Sequence, residues 1–171
     1  PAATDTLVGK ATTDTLTNKT LTSPTLGTAV YKEATGTLSS TNITGMNGTP
    51  VELIAAPAAG KVLVVDQVEF FHDYAVAAYI NGGDVIIEYG DGVDIMMSDV
   101  TLVTAGSDAN YINKPSVYDL DATTGTSAGF SMAAHAAQNV RITNATAAFA
   151  NGDATNVLKW KIIYKEITLL T

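Results

Sequence analysis

The run Thr4–Thr28, TDTLVGKATTDTLTNKTLTSPTLGT, constrains this chain more than any other stretch. Threonine dominates it, with single leucines at Leu7, Leu16, Leu21 and Leu26. One unit nearly repeats: Asp5-Thr6-Leu7 followed by Lys10, against Asp14-Thr15-Leu16 followed by Lys19, and internal repetition of this sort sets architecture. Threonine loses side-chain freedom in a helix and its hydroxyl competes for backbone hydrogen bonds, so the run favours extended chain. Single leucines at this spacing offer no face broad enough to bury alone, and a lone ribbon does not hold together in water. The run is therefore expected to be an extended arm, completed by other copies of itself or by the surface of a larger assembly.

The remaining length suits one compact unit. Of 171 residues, 46% are hydrophobic and 15% charged, which supports a real core and argues against disorder over most of the chain. A formal net charge of −8 and a single arginine, Arg141, argue against a nucleic-acid partner, because phosphate binding needs clustered Lys and Arg. There is no cysteine, so disulfides and thiolate metal sites are excluded. Pro1-Ala2-Ala3 shows neither a charged nor an apolar leader region and is consistent with loss of an initiator Met. No apolar run reaches the roughly 18–20 residues of a membrane span, so no membrane partner is expected.

Three regions are expected: the arm at 1–28, a linker at 29–50 with a short strand near Ala29–Lys32, and a β-sandwich at 51–171. Within the last, Val51–Ala55 reads as a strand, and Lys61–Asp73 as the strongest one. Regular alternation there puts Val62, Val64 and Asp66 on one face and Leu63, Val65 and Gln67 on the other, with apolar residues on both, as in a central strand covered on both sides. Asn81-Gly82-Gly83-Asp84 and Asn151-Gly152-Asp153 are turn signals. Val85–Tyr89, Val100–Thr104 and Val140–Ala147 read as further strands; Ala128–Ala136 fits a strand or a short helix, with Gly125 and Gly129 favouring strand over the helix that alanine favours, while Pro115 confines Tyr111–Leu120 to an edge or a strand start. On the closing strand Asn156–Leu169, Leu158, Trp160, Ile162 and Tyr164 alternate with Lys159, Lys161, Ile163 and Lys165, giving one wet face. Many short strands without helical periodicity imply an all-β fold, an antiparallel jelly-roll-like sandwich.

Residues Asp14–Pro24, DTLTNKTLTSP, resemble the TLTNKTLTSP segment that recurs in bacteriophage fibre and appendage proteins. The Gly60–Gly92 region resembles small phage virion proteins with a β-sandwich knob. The resemblance implies a homotrimeric virion protein, assembled in the host bacterial cytoplasm, that partners itself and the major capsid protein or another virion protein. A capsid decoration, cement or head-fibre role is the first expectation, with Leu7, Leu16, Leu21 and Leu26 as arm anchors. The alternative is a tail-fibre tip or receptor-binding knob for a host glycan, where Tyr74, Tyr79, Tyr89, Tyr111 and Tyr118 would offer stacking surface; their bland reading is core and subunit packing.

Catalytic and metal chemistry find little footing. His72 and Asp73, adjacent on a strand, point to opposite faces and cannot form one acid–base unit, so His72 reads as a satisfied strand histidine. His135 lies too far along the chain to pair with it as a metal ligand set. Asp91-Gly92-Val93-Asp94 lacks the alternation and terminal Glu of a calcium loop and reads as a turn. Asp119 and Asp121, with Glu69 nearby, leave room for a cation at a subunit junction. The Asn-x-Thr triplets at Asn18, Asn42, Asn47 and Asn144 read as turns and strand threonines. Gly82-Gly83 and Gly90-x-Gly92 lack the helix and lysine of a phosphate loop. No carboxylate pair suits glycoside hydrolysis. The chain is expected to be no enzyme and to bind no cofactor.

Overall fold

The computed structural model describes residues 30–92, 94–97, 101–115, 118–120, 127–129 and 132–170. The arm and its four leucines lie outside them.

Eight strands make two four-stranded sheets. The first runs β1 (Tyr31–Ser39), β12 (Val157–Thr168), β3 (Lys61–Asp73), β7 (Ala109–Asn113) across its width. The second runs β2 (Val51–Ile54), β10 (Val140–Asn144), β5 (Val85–Tyr89), β6 (Asp94–Met97). Taking these eight in chain order, the first pairs with the eighth, the second with the seventh, the third with the sixth and the fourth with the fifth, each antiparallel. That is the jelly-roll winding: one long hairpin rolled so that its two halves face each other. Two short ladders complete the set, β4 (Tyr79–Asn81) with β11 (Phe149–Asn151), and β8 (Tyr118–Leu120) with β9 (Ser127–Gly129).

Both sheets feed one core. Leu38, Leu63, Val65, Val68, Phe70, Leu158 and Ile162 come from the first, and Leu53, Ile54, Val85, Ile87, Tyr89, Val140 and Ile142 from the second. The Tyr89 hydroxyl donates to the Leu63 carbonyl at 2.6 Å and ties the two layers together.

β3 occupies the expected span, but its alternation breaks. Val65 pairs with Tyr164 and Gln67 with Ile163, leaving Asp66 as an extra residue. This bulge moves the inward positions from Leu63 and Val65 to Val68, Phe70 and His72, and it turns Asp66 to the outer face, where a carboxylate stays hydrated. The inner face is covered throughout, whereas the outer face is fully covered only at its start, where Val62 is as buried as Leu63 beside it. The outer face carries Glu69 and Phe71, half-buried, beside Lys159 and Lys161 of β12.

The stretch expected as a linker is instead structured. Tyr31–Ser39 forms nine register pairs with β12, from Tyr31 against Lys165 to Ser39 against Val157. Helix α1 (Ser40–Gly45) follows, with Ser39 as its N-cap: Ser39 Oγ accepts from the Asn42 amide, and Asn42 Oδ1 accepts from the Ser39 amide. Ile43 and Met46 are buried completely, pinning the crossing from the first sheet to the second.

Thr101–Thr104 is a short helix, α2, and not a strand. Leu102 and Val103 are both buried, which consecutive residues achieve on a helical turn and not on a one-faced strand. The segment read as strand over Ala128–Ala136 yields only β9, with Met132–Ala137 in turns. Asn81, Gly82 and Gly83 all have positive φ, as do Asn151 and Gly152, so both expected turns form where left-handed backbone is tolerated.

Candidate functional site

The tyrosines do not make one surface. Tyr79 is fully buried and meets Phe149 edge-on at 6.2 Å, so it has no face for a sugar. Tyr89 is also in the core, where burial pushes its hydroxyl pKa well up. Tyr74 is half-buried and donates to the Val76 carbonyl. Tyr111, on β7, packs half-buried against the core. The Tyr118 side chain lies outside the described residues.

His72 is fully buried at the end of β3, near Tyr74 and Tyr79 at ring distances of 6.4 and 6.2 Å. Neither ring nitrogen has a hydrogen-bond partner among the described residues, so the expected satisfied histidine is a stressed one. Burial lowers its pKa, against smaller opposing pulls from Asp108 and Asp73. Asp73 points away and pairs with Lys159 at 2.8 Å, as the strand alternation requires.

His135 has a partner that sequence reasoning missed. Its Nδ1 lies 2.9 Å from Asp91 Oδ2, and its ring stacks on Tyr89 at 4.7 Å with planes 6° apart. The two residues are forty-four positions apart, and only the fold brings them together. The contact fastens the Met132–Ala137 turns onto the tight turn after β5, where the Gly92 amide bonds the Tyr89 carbonyl. No group of three or more His, Asp or Glu side chains suited to a metal occurs among the described residues. Glu69 is engaged by Lys161 at 2.6 Å and by Gln67 at 2.6 Å. Asp121 and the Asp119 side chain lie outside the described residues. The Gly82-Gly83 and Gly90-x-Gly92 stretches are strand-to-strand turns. Asn42 caps α1, Asn47 bonds the Asn144 carbonyl, and buried Asn144 bonds the Gly82 carbonyl.

The outer face of the first sheet carries a ladder of ion pairs. Lys159 pairs with Asp73, Lys161 with Glu69, and Lys165 approaches Asp66 at 3.8 Å. At one rim Glu166 accepts from both Lys32 and Lys61, which holds its carboxyl below the usual range. Toward β7 this charge gives way to a shallow groove of about 330 Å³, lined on its outer side by Glu69, Phe71, Asn110, Ile112, Lys159 and Lys161. Lys159 Nζ sits 5.2 Å from the centre of the Phe71 ring, and Ile112 is 70% exposed. Across this sheet β7 and β1 are the two outer strands.

No protein-family model matches the sequence, and no curated protein matches it significantly. Among solved structures, the chain is similar to one titled "Cyanophage Pam1 capsid asymmetric unit", at 16% identity and a TM-score of 0.46, over 92% of this chain and 99% of that one. At that distance the likeness assigns neither fold nor function.

Proposed function

We propose that this chain is a structural protein of a bacteriophage particle, a homotrimeric capsid decoration or head-fibre protein anchored through its N-terminal arm. The observation that carries the reading is the junction of arm and fold. The fibre-like arm runs directly into β1, an outer strand locked to β12 over nine pairs. A pull on the arm along the strand axis loads those backbone hydrogen bonds together in shear, so the arm joins the sheet at a strand paired along its whole length. Many such weak arms, acting together on one shell, hold it by multivalency. The jelly roll agrees with this role by analogy, since the architecture is common in viral capsid domains.

The expected outcome is that full-length protein occupies particles at many copies each, while a chain lacking residues 1–28 stays folded and fails to attach. Full occupancy by the truncated chain overturns the reading. Jelly rolls also occur in lectins, but a receptor-binding tip recognising a host glycan loses Tyr79 and Tyr89 as stacking platforms. Copy number per particle separates the two, since a tail tip is present only a few times.

A further inference from the structure

We infer that His72 is an acid-sensitive latch: when its imidazole takes a proton, the loop of residues 74–78 lifts from the end of the sandwich while both sheets stay closed. His72 is the penultimate residue of β3 and fully buried, and neither ring nitrogen makes a hydrogen bond among the described residues. A neutral imidazole tolerates such a place at a cost, whereas an imidazolium cannot stay there without water or a counter-charge. The surroundings supply neither. The Tyr79 ring of β4 lies 6.2 Å away without hydrogen-bonding to it, and the Tyr74 ring stands edge-on at 6.4 Å. Opposite His72 on β12 is the fully buried Leu158, and on β7 it is Ala109. Asp73 and Lys159 sit on the outer face and pair with each other. Helix α2, packed on β4, brings no titratable side chain. Asp153, ahead of β12, is engaged by Thr155. Among the described residues, the carboxylate left to meet an imidazolium is Asp108, exposed just ahead of β7, whose Oδ1 accepts from the Tyr74 amide at 2.9 Å.

The loop is the least costly way out. Residues 75–77 are exposed, Val76 to 76%, so lifting them gives up little apolar burial. Its tethers are polar. Besides the Tyr74 contact, the Ala75 amide donates to Asn156 Oδ1 at 2.8 Å. The Ala77 carbonyl accepts from Asn156 Nδ2 at 2.7 Å and from the Asp153 amide at 3.0 Å. Exit on either side of β3 instead breaks its ladder with β12 or with β7. Asp108 gives the exchange its direction. As the loop leaves, the carboxylate trades the Tyr74 amide for the imidazolium, two opposite charges in place of one. Burial holds the folded His72 pKa below 6.5, so the lifted form binds the proton more readily and gains on the closed form as pH falls. The inference rests on neither the arm nor a particle.

Hydrogen exchange of the full-length chain between pH 7.5 and 5, corrected for the intrinsic pH dependence of amide exchange, reads the latch. The Tyr74, Ala75 and Asp153 amides should lose protection by about tenfold per pH unit below about pH 6.5, while the amides of the β3–β12 ladder keep theirs. His72→Leu should leave the loop's protection flat across the range. Asp108→Asn, at an exposed position, keeps an oxygen for the Tyr74 amide and removes the charge, so the onset of opening should move to lower pH; this variant carries the test if the core substitution unfolds the chain. Loop protection that stays constant down to pH 5 overturns the inference, as does a loss that persists in His72→Leu or an onset unmoved by Asp108→Asn. Loop and ladder amides opening together also overturn it, because protonation would then unfold the whole sandwich and not release a latch.

Discussion

His72 and Gly36 show how single residues set the tolerances of this fold. A fully buried imidazole without a hydrogen-bond partner is held neutral, because the charged form would lose its hydration. Its folded pKa lies below the 6.5 of an exposed histidine. The unfolded chain therefore binds the proton more readily, and the His72 contribution is whole above about pH 6.5 and is lost as pH falls below it. Urea midpoints measured from pH 7.5 to 5 should decline, and His72→Leu should flatten that decline; an unchanged slope would exonerate His72. Gly36 faces Trp160 across the β1–β12 pair, and a Cβ there would lie 2.6 Å from the indole ring. Gly36→Ala should cost about 1–3 kcal/mol by forcing the ring aside, visible as a lower denaturant midpoint with altered Trp160 fluorescence. Neither effect is written in the local sequence. A lone His in an apolar strand is commonplace, and Gly36 sits in a Thr-Gly-Thr stretch that reads as loop until its tryptophan partner, over a hundred positions later, is known.

At the level of elements, β12 is the member on which the first sheet depends, since it pairs with both β1 and β3. Its alternation was plain in the sequence because one face is wet with lysines and the other apolar. Neighbouring positions on it should respond very differently. Ile162→Ala removes buried methyls from the shared core and should cost about 2–5 kcal/mol. Lys161→Ala deletes a partly exposed pair with Glu69 and should cost far less, shrinking further in salt. Chemical denaturation of the two variants checks both, and equal losses would mean that the outer face carries more than solvated charge. The spans of β3 and β5 were equally legible, because apolar runs bounded by Gly and Asn turns have few other readings. Their faces were not: the Asp66 bulge reverses inside and outside halfway along β3, and period two alone contains no signal for an inserted residue. Beyond the short strand expected near Ala29–Lys32, β1 is hidden for a different reason. Apart from Tyr31, Ala34 and Leu38 its residues are Thr, Gly, Ser and charges, and its order comes from β12. The Ser39-Ser40-Thr41-Asn42 capping signal of α1 is made of the same residue types as a turn and does not stand out among them, and the His135–Asp91 contact joins two turns that no local pattern connects.

For the whole molecule, one core spans both layers, so the described fold should melt as a unit. Far-ultraviolet dichroism and Trp160 fluorescence should give superimposable transitions in the full-length protein; separated midpoints would show that the sheets unfold independently. The jelly-roll class was legible from strand density and turn spacing, whereas the pairing order was not, because each link joins segments far apart. That same order has a temporal side. Lys32 and its partner Glu166 are 134 positions apart, and a ribosome adding about 5–20 residues per second needs roughly 7–27 s to make the distance between them. Throughout that interval the first strand of a nascent chain has no docking place, because β12 is its sheet partner. A polypeptide wound this way is born with its first strand exposed and its mooring unmade, so the first sheet closes only once the last-made strand has left the ribosome.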